Sequence, residues 1–441
     1  MATSSSVPIR SRSFRYLLLG LGLAFLFRLG YGLCSDIWFI DQQQVYLIGL
    51  KYFCTGDWPY FGADVGRHIQ LPGALQGLVV GLPLRVFSIP ESPYLFLNLL
   101  SFIGLVFFSW YCAKRLPQFP RWVIYTWLFT APWTLNWSTN IDNDSYVLFA
   151  SCLFFPTFLE TVPELSLGIL PASLANALMG FAFFWTAQFH MSFVLMAPFI
   201  LTSLFYQTRH AMRALPRIVL FLFLGSLLSG VFLIPTFVQY GPVAGMGGSQ
   251  NAVTFNAANI LSFPVVLARY LSLASCEIPR FLGANTAGRL AFLNSNPWLW
   301  PVALITFLGG LAQALALLFL GFRNQNAQKD WTALKILALA TFLLIYFSFI
   351  FAIKVPAAHT YYLALPVAML YGFYAFSPFM TRRWFRILTV ILLSCNILLH
   401  AGLAAEHFQS RSLYKNRELF VKAIQDKNYH LLGERRPETL Y

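Results

Sequence analysis

The stretch Ile69-Gln-Leu-Pro-Gly-Ala-Leu-Gln-Gly-Leu-Val-Val-Gly-Leu-Pro-Leu-Arg-Val-Phe-Ser88 decides how this chain is threaded. It is apolar, yet it carries Pro72, Gly73, Gln76, Gly77, Gly81 and Pro83, poor material for a helix facing lipid. Basic clusters between apolar runs settle its side. Arg10, Arg12 and Arg15 put the N-terminus in the cytoplasm, so 35–68 lies outside. If both 69–88 and the next run, 93–113, crossed, Lys114, Arg115 and Arg121 would fall outside. If only 93–113 crosses, they are cytoplasmic. The second threading also brings Arg209, Arg213 and Arg217, then Arg323 and Lys329, then Arg382, Arg383 and Arg386 inside. We therefore read 69–88 as an interfacial or re-entrant segment on the outer face.

Working outward, runs near 20 residues, about the length that spans a bilayer core, fall at 14–34, 93–113, 121–138, 145–162, 172–187, 190–207, 216–238, 297–321, 332–353, 359–378 and 385–403. The expected fold is all-α: a polytopic transmembrane helical bundle of about 11 spans (possible range about 10–13). The divisions are an N-terminal transmembrane module 1–238 with a first outer loop 35–92, an outer loop 239–296, C-terminal transmembrane helices 297–403 and a charged tail 404–441. That tail lies outside despite Arg411, Lys415, Arg417, Lys422, Lys427, Arg435 and Arg436, against the positive-inside trend. Loop 239–296 reads as a flexible connector, with acceptor contacts or a lid as the alternative; Gly241, Gly245, Gly247 and Gly248 suit mobile backbone. The basic start and first apolar run mimic a signal peptide, but the many spans that follow make it a retained first helix.

Composition agrees. Hydrophobic residues are 58% of 441 positions and charged residues 10%, where a soluble chain carries roughly a quarter charged. The +14 balance is dispersed in small clusters rather than one tract with interleaved aromatics, which excludes a nucleic-acid surface. Cys34, Cys54, Cys112, Cys152, Cys276 and Cys395 have no CxxC spacing, so no metal knuckle is indicated. Cys34, Cys54 and Cys276 share the outer side, with no pairing preferred.

The polar residues then collect on one side. The first outer loop contains Asp36, Asp41-Gln-Gln-Gln-Val-Tyr46, Gly56-Asp57-Trp58-Pro59-Tyr60 and Asp64-Val-Gly-Arg67-His68. The turn before the span at 145 reads Asn140-Ile-Asp142-Asn143-Asp144. Gln188 and His190 sit at an outer turn, Lys354 and His359 flank another, and Arg28 lies toward the outer end of the first span. Ionisable groups at membrane depth are costly and point to function. Each also has a plain structural reading: Asp41, Asp57, Asp142 and Asp144 as caps, His190 as a hydrogen-bonded structural histidine, Lys354 as a snorkelling residue. Their shared side, from acidic residues not used to orient the spans, favours function jointly.

At these residues the chain resembles the GT-C superfamily of membrane glycosyltransferases, and most closely the group of protein O-mannosyltransferases and lipid A aminoarabinose transferases. The likeness runs through Asp41, Tyr46, Gly56-Asp57-Trp58-Pro59-Tyr60, Leu71-Pro72, Asp144-Ser145, Thr186-Ala-Gln188-Phe-His190-Met-Ser192 and His359-Thr-Tyr361-Tyr362-Leu-Ala-Leu-Pro366. Two positions depart from it: Gln42 stands where the family often has Glu, and His190 where it often has Lys. The resemblance implies transfer of a sugar from a polyprenyl-phosphate donor to an acceptor glycan, lipid or protein, on the non-cytoplasmic face of the plasma (inner) membrane. It implies Asp41 as general base, with Asp144 orienting the acceptor, supporting Asp41 or sharing a divalent metal with it. Arg28, His190, Lys354 and His359 are the candidate phosphate ligands, and Tyr46, Asp57, Tyr60, His68, Asp142, Gln188 and Tyr361 complete the expected substrate contacts. A single displacement would invert the anomeric centre. The rival readings are a transporter or flippase, which predicts inverted repeats that are not seen, and a non-catalytic scaffold.

Overall fold

A computed structural model describes residues 10–35, 40–64, 69–242, 245, 254–323, 330–352, 361–410 and 415–433. Helices dominate. In chain order they are α1 (Arg10–Ser35), α2 (Ile40–Thr55), α3 (Leu75–Val86), α4 (Ser92–Arg115), α5 (Arg121–Thr130), α6 (Pro132–Asn136), α7 (Val147–Thr161), α8 (Ala172–Phe189), α9 (Ala197–His210), α10 (Leu215–Gly230) and α11 (Ile234–Tyr240). There follow α12 (Phe263–Leu271), α13 (Ile278–Leu282), α14 (Thr286–Ser295), α15 (Leu299–Gly321), α16 (Trp331–Ile350), α17 (Leu365–Phe376), α18 (Arg383–Ser410) and α19 (Arg417–Gln425). One hairpin, β1 (Phe61–Asp64) against β2 (Gln70–Pro72), pairs Phe61 with Pro72 and Asp64 with Gln70. Proline stands in the first turn of α9, α10, α11, α12, α13 and α17, where its missing N–H would have no partner anyway.

Eight of the described helices are long and apolar enough to cross a bilayer, or nine if the bent pair 257–271 and 275–282 is one span. This is a multi-pass membrane protein. Three of the eleven expected spans, 121–138, 145–162 and 172–187, are not among those eight. The first is broken at Pro132 into α5 and α6. α7 is only 15 residues long, and α8 carries Asn176, which donates to Gln207 of α9, and Gln188, which donates to Ser229 O of α10. A helix sheathed by protein does not need a uniformly apolar surface, so polar side chains within it weaken its resemblance to a span. α3 has 12 residues, about 18 Å of helix against a core of about 30 Å, as an interfacial segment requires.

Two further expectations change. The stretch 257–295, read as connector, is largely helical and folds back at a 113° bend, with Leu273 and Ala274 in left-handed backbone at the break. Gly245 is not mobile backbone: its carbonyl accepts from Gln70 N at 3.0 Å. Its φ of +80° and a Cβ position 2.3 Å from Gln70 O leave room only for glycine. The tail is also structured. α18 runs on through 404–410, and α19 docks against α2, with Phe420, Ala423 and Ile424 buried.

The bundle has two chemically distinct ends. At one, Arg115 donates to Tyr374 Oη and Tyr111 Oη, each at 2.9 Å, and to Asp330 Oδ2 at 2.7 Å. Glu160 stands 3.8 Å away, accepting from Tyr111 at 2.8 Å. This network ties the ends of α4, α7, α16 and α17. The 40s helix, the 140s turn and the tail gather at the other end.

Candidate functional site

The site is built on the first turn of α2. Asp41 is exposed there, at a helix N-terminus whose unpaired N–H groups favour negative charge. The three glutamines after it point about 100° apart around the helix and reach three different elements. Gln42 Nε2 donates to Asp142 Oδ2 at 2.5 Å, Gln43 Nε2 to Leu432 O at 2.7 Å, and Gln44 Nε2 to Asp64 Oδ2 at 2.8 Å. Asp64 is gripped further, its N–H donating to Gln44 Oε1 at 3.0 Å and its Oδ1 accepting from Gln70 at 2.9 Å. The helix that carries Asp41 is therefore fixed to the 140s turn, the tail and the hairpin.

The 140s turn supplies the other carboxylates. Asn143 N–H donates to Asp142 Oδ1 at 2.7 Å, and Asp144 N–H to Asn143 Oδ1 at 2.9 Å, an Asx arrangement that opens the helix beyond. Tyr362 Oη donates to Asp144 O. Asp144 is 5% exposed. Burial first, then the negative charges of Asp142 and Asp41, hold its carboxyl well above the usual carboxylate range, while a backbone hydrogen bond and Arg280 pull the other way. Asp41, half-buried Asp142 and buried Asp144 thus form a graded acidic mouth, with Arg280 as a cation within electrostatic reach. Among the described residues no three carboxylate, histidine or cysteine groups form a metal-ligand set.

Arg280 was not expected from the sequence, nor were Glu277 and Arg269, whose Oε1 and Nε lie 2.5 Å apart at the 257–282 bend. Tyr361 is fully buried beside Glu277 and Arg269. Its hydroxyl has no hydrogen-bond partner among the described residues. The signal for this cluster was present as ionisable residues inside an apolar stretch, but the stretch was read as a loop.

Other expected contacts fall elsewhere. Arg28 is buried in α1, with Nη1 donating to Phe129 O at 3.1 Å and Nη2 to Ser138 Oγ at 2.8 Å; it clamps α1 to α5 and the turn after α6. Tyr46 is fully buried, its hydroxyl donating to Pro90 O at 3.3 Å. Asp57 and Tyr60 follow the far end of α2, a 16-residue helix about 24 Å long, so they stand apart from Asp41. Asp57 meets Lys51 at 4.0 Å, and the Tyr60 ring packs on Tyr240. Gln188 has no exposed surface and joins α8 to α10 by donating to Ser229 O at 2.8 Å. His190 Nδ1 accepts from Ser192 N–H at 3.1 Å, capping the turn there. His68, Lys354 and His359 lie outside the described residues.

The bundle combines short helices after its first span with acidic residues gathered at one end. Among solved structures it is similar to ArnT from Cupriavidus metallidurans bound to undecaprenyl phosphate. The TM-score is 0.52 at 12% sequence identity, over 95% of this chain and 77% of that one; at that identity the likeness is one of fold. No protein-family model and no curated protein sequence matches the chain.

Proposed function

We propose that the chain is a membrane glycosyltransferase that takes a sugar from a polyprenyl-phosphate donor and passes it to an acceptor hydroxyl or amine. The observation that carries this reading is the acidic mouth of Asp41, Asp142 and Asp144 at one end of a bundle whose fold matches a protein holding undecaprenyl phosphate. In the reaction, the acceptor O–H or N–H attacks the anomeric carbon. Asp41 takes the proton as the new bond to carbon forms. The carbon–oxygen bond to phosphate breaks, and its electron pair leaves on the phosphate oxygen. Attack opposite the leaving group inverts the anomeric centre.

Asp41 suits the base because the acceptor can reach it, whereas buried Asp144 retains its proton and serves as a hydrogen-bond donor to the acceptor. Arg280 joins Lys354 and His359 as a cation for the departing phosphate. The exposed apolar side chains Leu82, Val86, Phe87 and Ile89, at the end of α3 and just beyond it, offer the polyprenyl chain a surface. The basic loops support placing this end of the bundle on the non-cytoplasmic face, and the plasma (inner) membrane is part of the proposal.

The test incubates purified chain with polyprenyl-linked sugars extracted from producing cells and follows free polyprenyl phosphate by mass spectrometry. Wild type releases it and Asp41→Asn, equally well folded, does not. Full release by that variant removes the proposed base.

A further inference from the structure

We infer that the C-terminal segment 417–433 is a strap that positions α2, and with it Asp41, for turnover. The inference rests on the transferase reading above. The strap runs along α2 over most of its length. The Tyr429 backbone reaches Cys54 near the helix's far end, with Lys427 within electrostatic reach. Phe420 is 1% exposed and meets the fully buried Tyr46 edge-on, with ring centroids 5.1 Å apart. The carbonyl of Leu432 accepts from Gln43, two residues after Asp41, at 2.7 Å. Gly433 comes next with φ +137°, and a Cβ built there would stand 2.3 Å from Gln43 Nε2. Arg417 grips Glu91, at the start of α4, with Nε and Nη2 at 2.6 and 3.3 Å from the two carboxylate oxygens.

These contacts reach both α2 and the start of α4. α2 touches the strap at its middle and at its first turn, while Glu91 anchors the strap to the span that follows. The physical need follows from geometry. An isolated interfacial helix with an exposed base at its tip can roll about its own axis. With side-chain tips about 5 Å from that axis, about 20° of roll moves one by roughly 1–2 Å. A misplacement near 1 Å can cost about 100-fold in rate. Gln42 and Gln44 hold the tip from two directions, and the strap supplies the third. The strap's charge serves the same end. Arg417 pairs with Glu91 and so ties the strap to the start of α4.

The strap is a positioning element, so its test separates docking from chemistry. In the full-length protein, Cys54 alkylation by iodoacetamide is mapped by peptide mass spectrometry, and polyprenyl phosphate release is measured over a range of donor-extract concentrations. Phe420→Ala is expected to speed Cys54 alkylation at least fivefold and lower kcat at least tenfold, with KM within twofold of wild type. Phe420→Leu, which keeps the apolar contact, restores both. Gly433→Ala, which strikes Gln43 without opening a core cavity, lowers kcat in the same way and guards against misfolding of the first variant. Unchanged Cys54 alkylation in Phe420→Ala overturns the docking. Faster alkylation with wild-type kcat overturns the positioning role alone. Absence of release by the wild-type chain would sink the transferase reading and the strap's role with it.

Discussion

Replacing Arg115 with methionine isolates the energetics of the end of the bundle opposite the candidate site. Arg115 and Glu160 side chains are 0% exposed and Asp330 is 15% exposed. All three guanidinium nitrogens are in use, one on each of Tyr374, Tyr111 and Asp330. Methionine keeps most of the volume but removes the positive charge that faces two carboxylates. Breaking a buried pair from one side costs about 3–5 kcal/mol, because the surviving charge loses its partner in a poor solvent. That is roughly 10²- to 10⁴-fold in the folding equilibrium. The assay is the detergent-denaturation midpoint of purified protein, followed by tryptophan fluorescence. Combining Arg115→Met with Glu160→Gln and Asp330→Asn removes the orphaned charges, and is expected to recover at least half the loss. Glutamine at 160 keeps an acceptor for Ser166 Oγ and the Ile169 N–H, now at 3.1 and 3.0 Å. Turnover per folded molecule stays at wild type in both, since the network lies at the far end of the bundle from Asp41. A single variant as stable as wild type, or a triple variant no better than the single, refutes the argument.

Asp144 gives a pH signature. Its folded-state pKa is raised, so the folded chain binds the extra proton, and stability is full below the ordinary carboxylate value of about 4 and falls as pH rises toward the folded value. Asp144→Asn should therefore match or exceed wild type in melting midpoint at pH 8, with the gap closing toward pH 4; parallel profiles would contradict the burial argument. The α8–α10 contact predicts a steric failure. A Cβ on Gly225 would lie 1.7 Å from Ala177 O and one on Gly180 2.2 Å from Leu222 O, both against backbone. Gly225→Ala should lower stability by about 1–3 kcal/mol or more, read as a lower denaturation midpoint, while Gly230→Ala, with its nearest neighbour at 3.5 Å, stays near wild type.

The bundle was legible because a bilayer imposes a length and a composition on every segment it touches. Runs at 93–113 and 297–321 became α4 and α15 almost residue for residue, and the run at 385–403 lies within the longer α18. The segments that depart from the simple pattern do so for particular reasons: α7 is only 15 residues long, α8 carries Asn176 and Gln188, and the bent pair at 257–282 mixes Arg269 and Glu277, an ion pair, into an apolar stretch. In the site, Asp41, Asp142 and Asp144 were legible as acidic residues at the ends of apolar runs. Arg28, Tyr46 and Gln188 carried the same kind of signal, and the structure places all three in buried hydrogen bonds between elements, as a buried polar group requires whether or not it binds a substrate.

By itself the sequence determined that the chain crosses a membrane many times, that 69–88 is too interrupted to be one of those crossings, and which acidic residues cap the bundle. These are properties of single segments, written in local composition and charge. Only the tertiary structure decided that Gln42, Gln43 and Gln44 reach three separate elements, that Arg280 comes within electrostatic reach of Asp144, and that the tail lies along α2. Such contacts join positions 20 to 389 residues apart, and a hydrogen bond or ion pair between them depends on where folded elements come to rest, which no local pattern records.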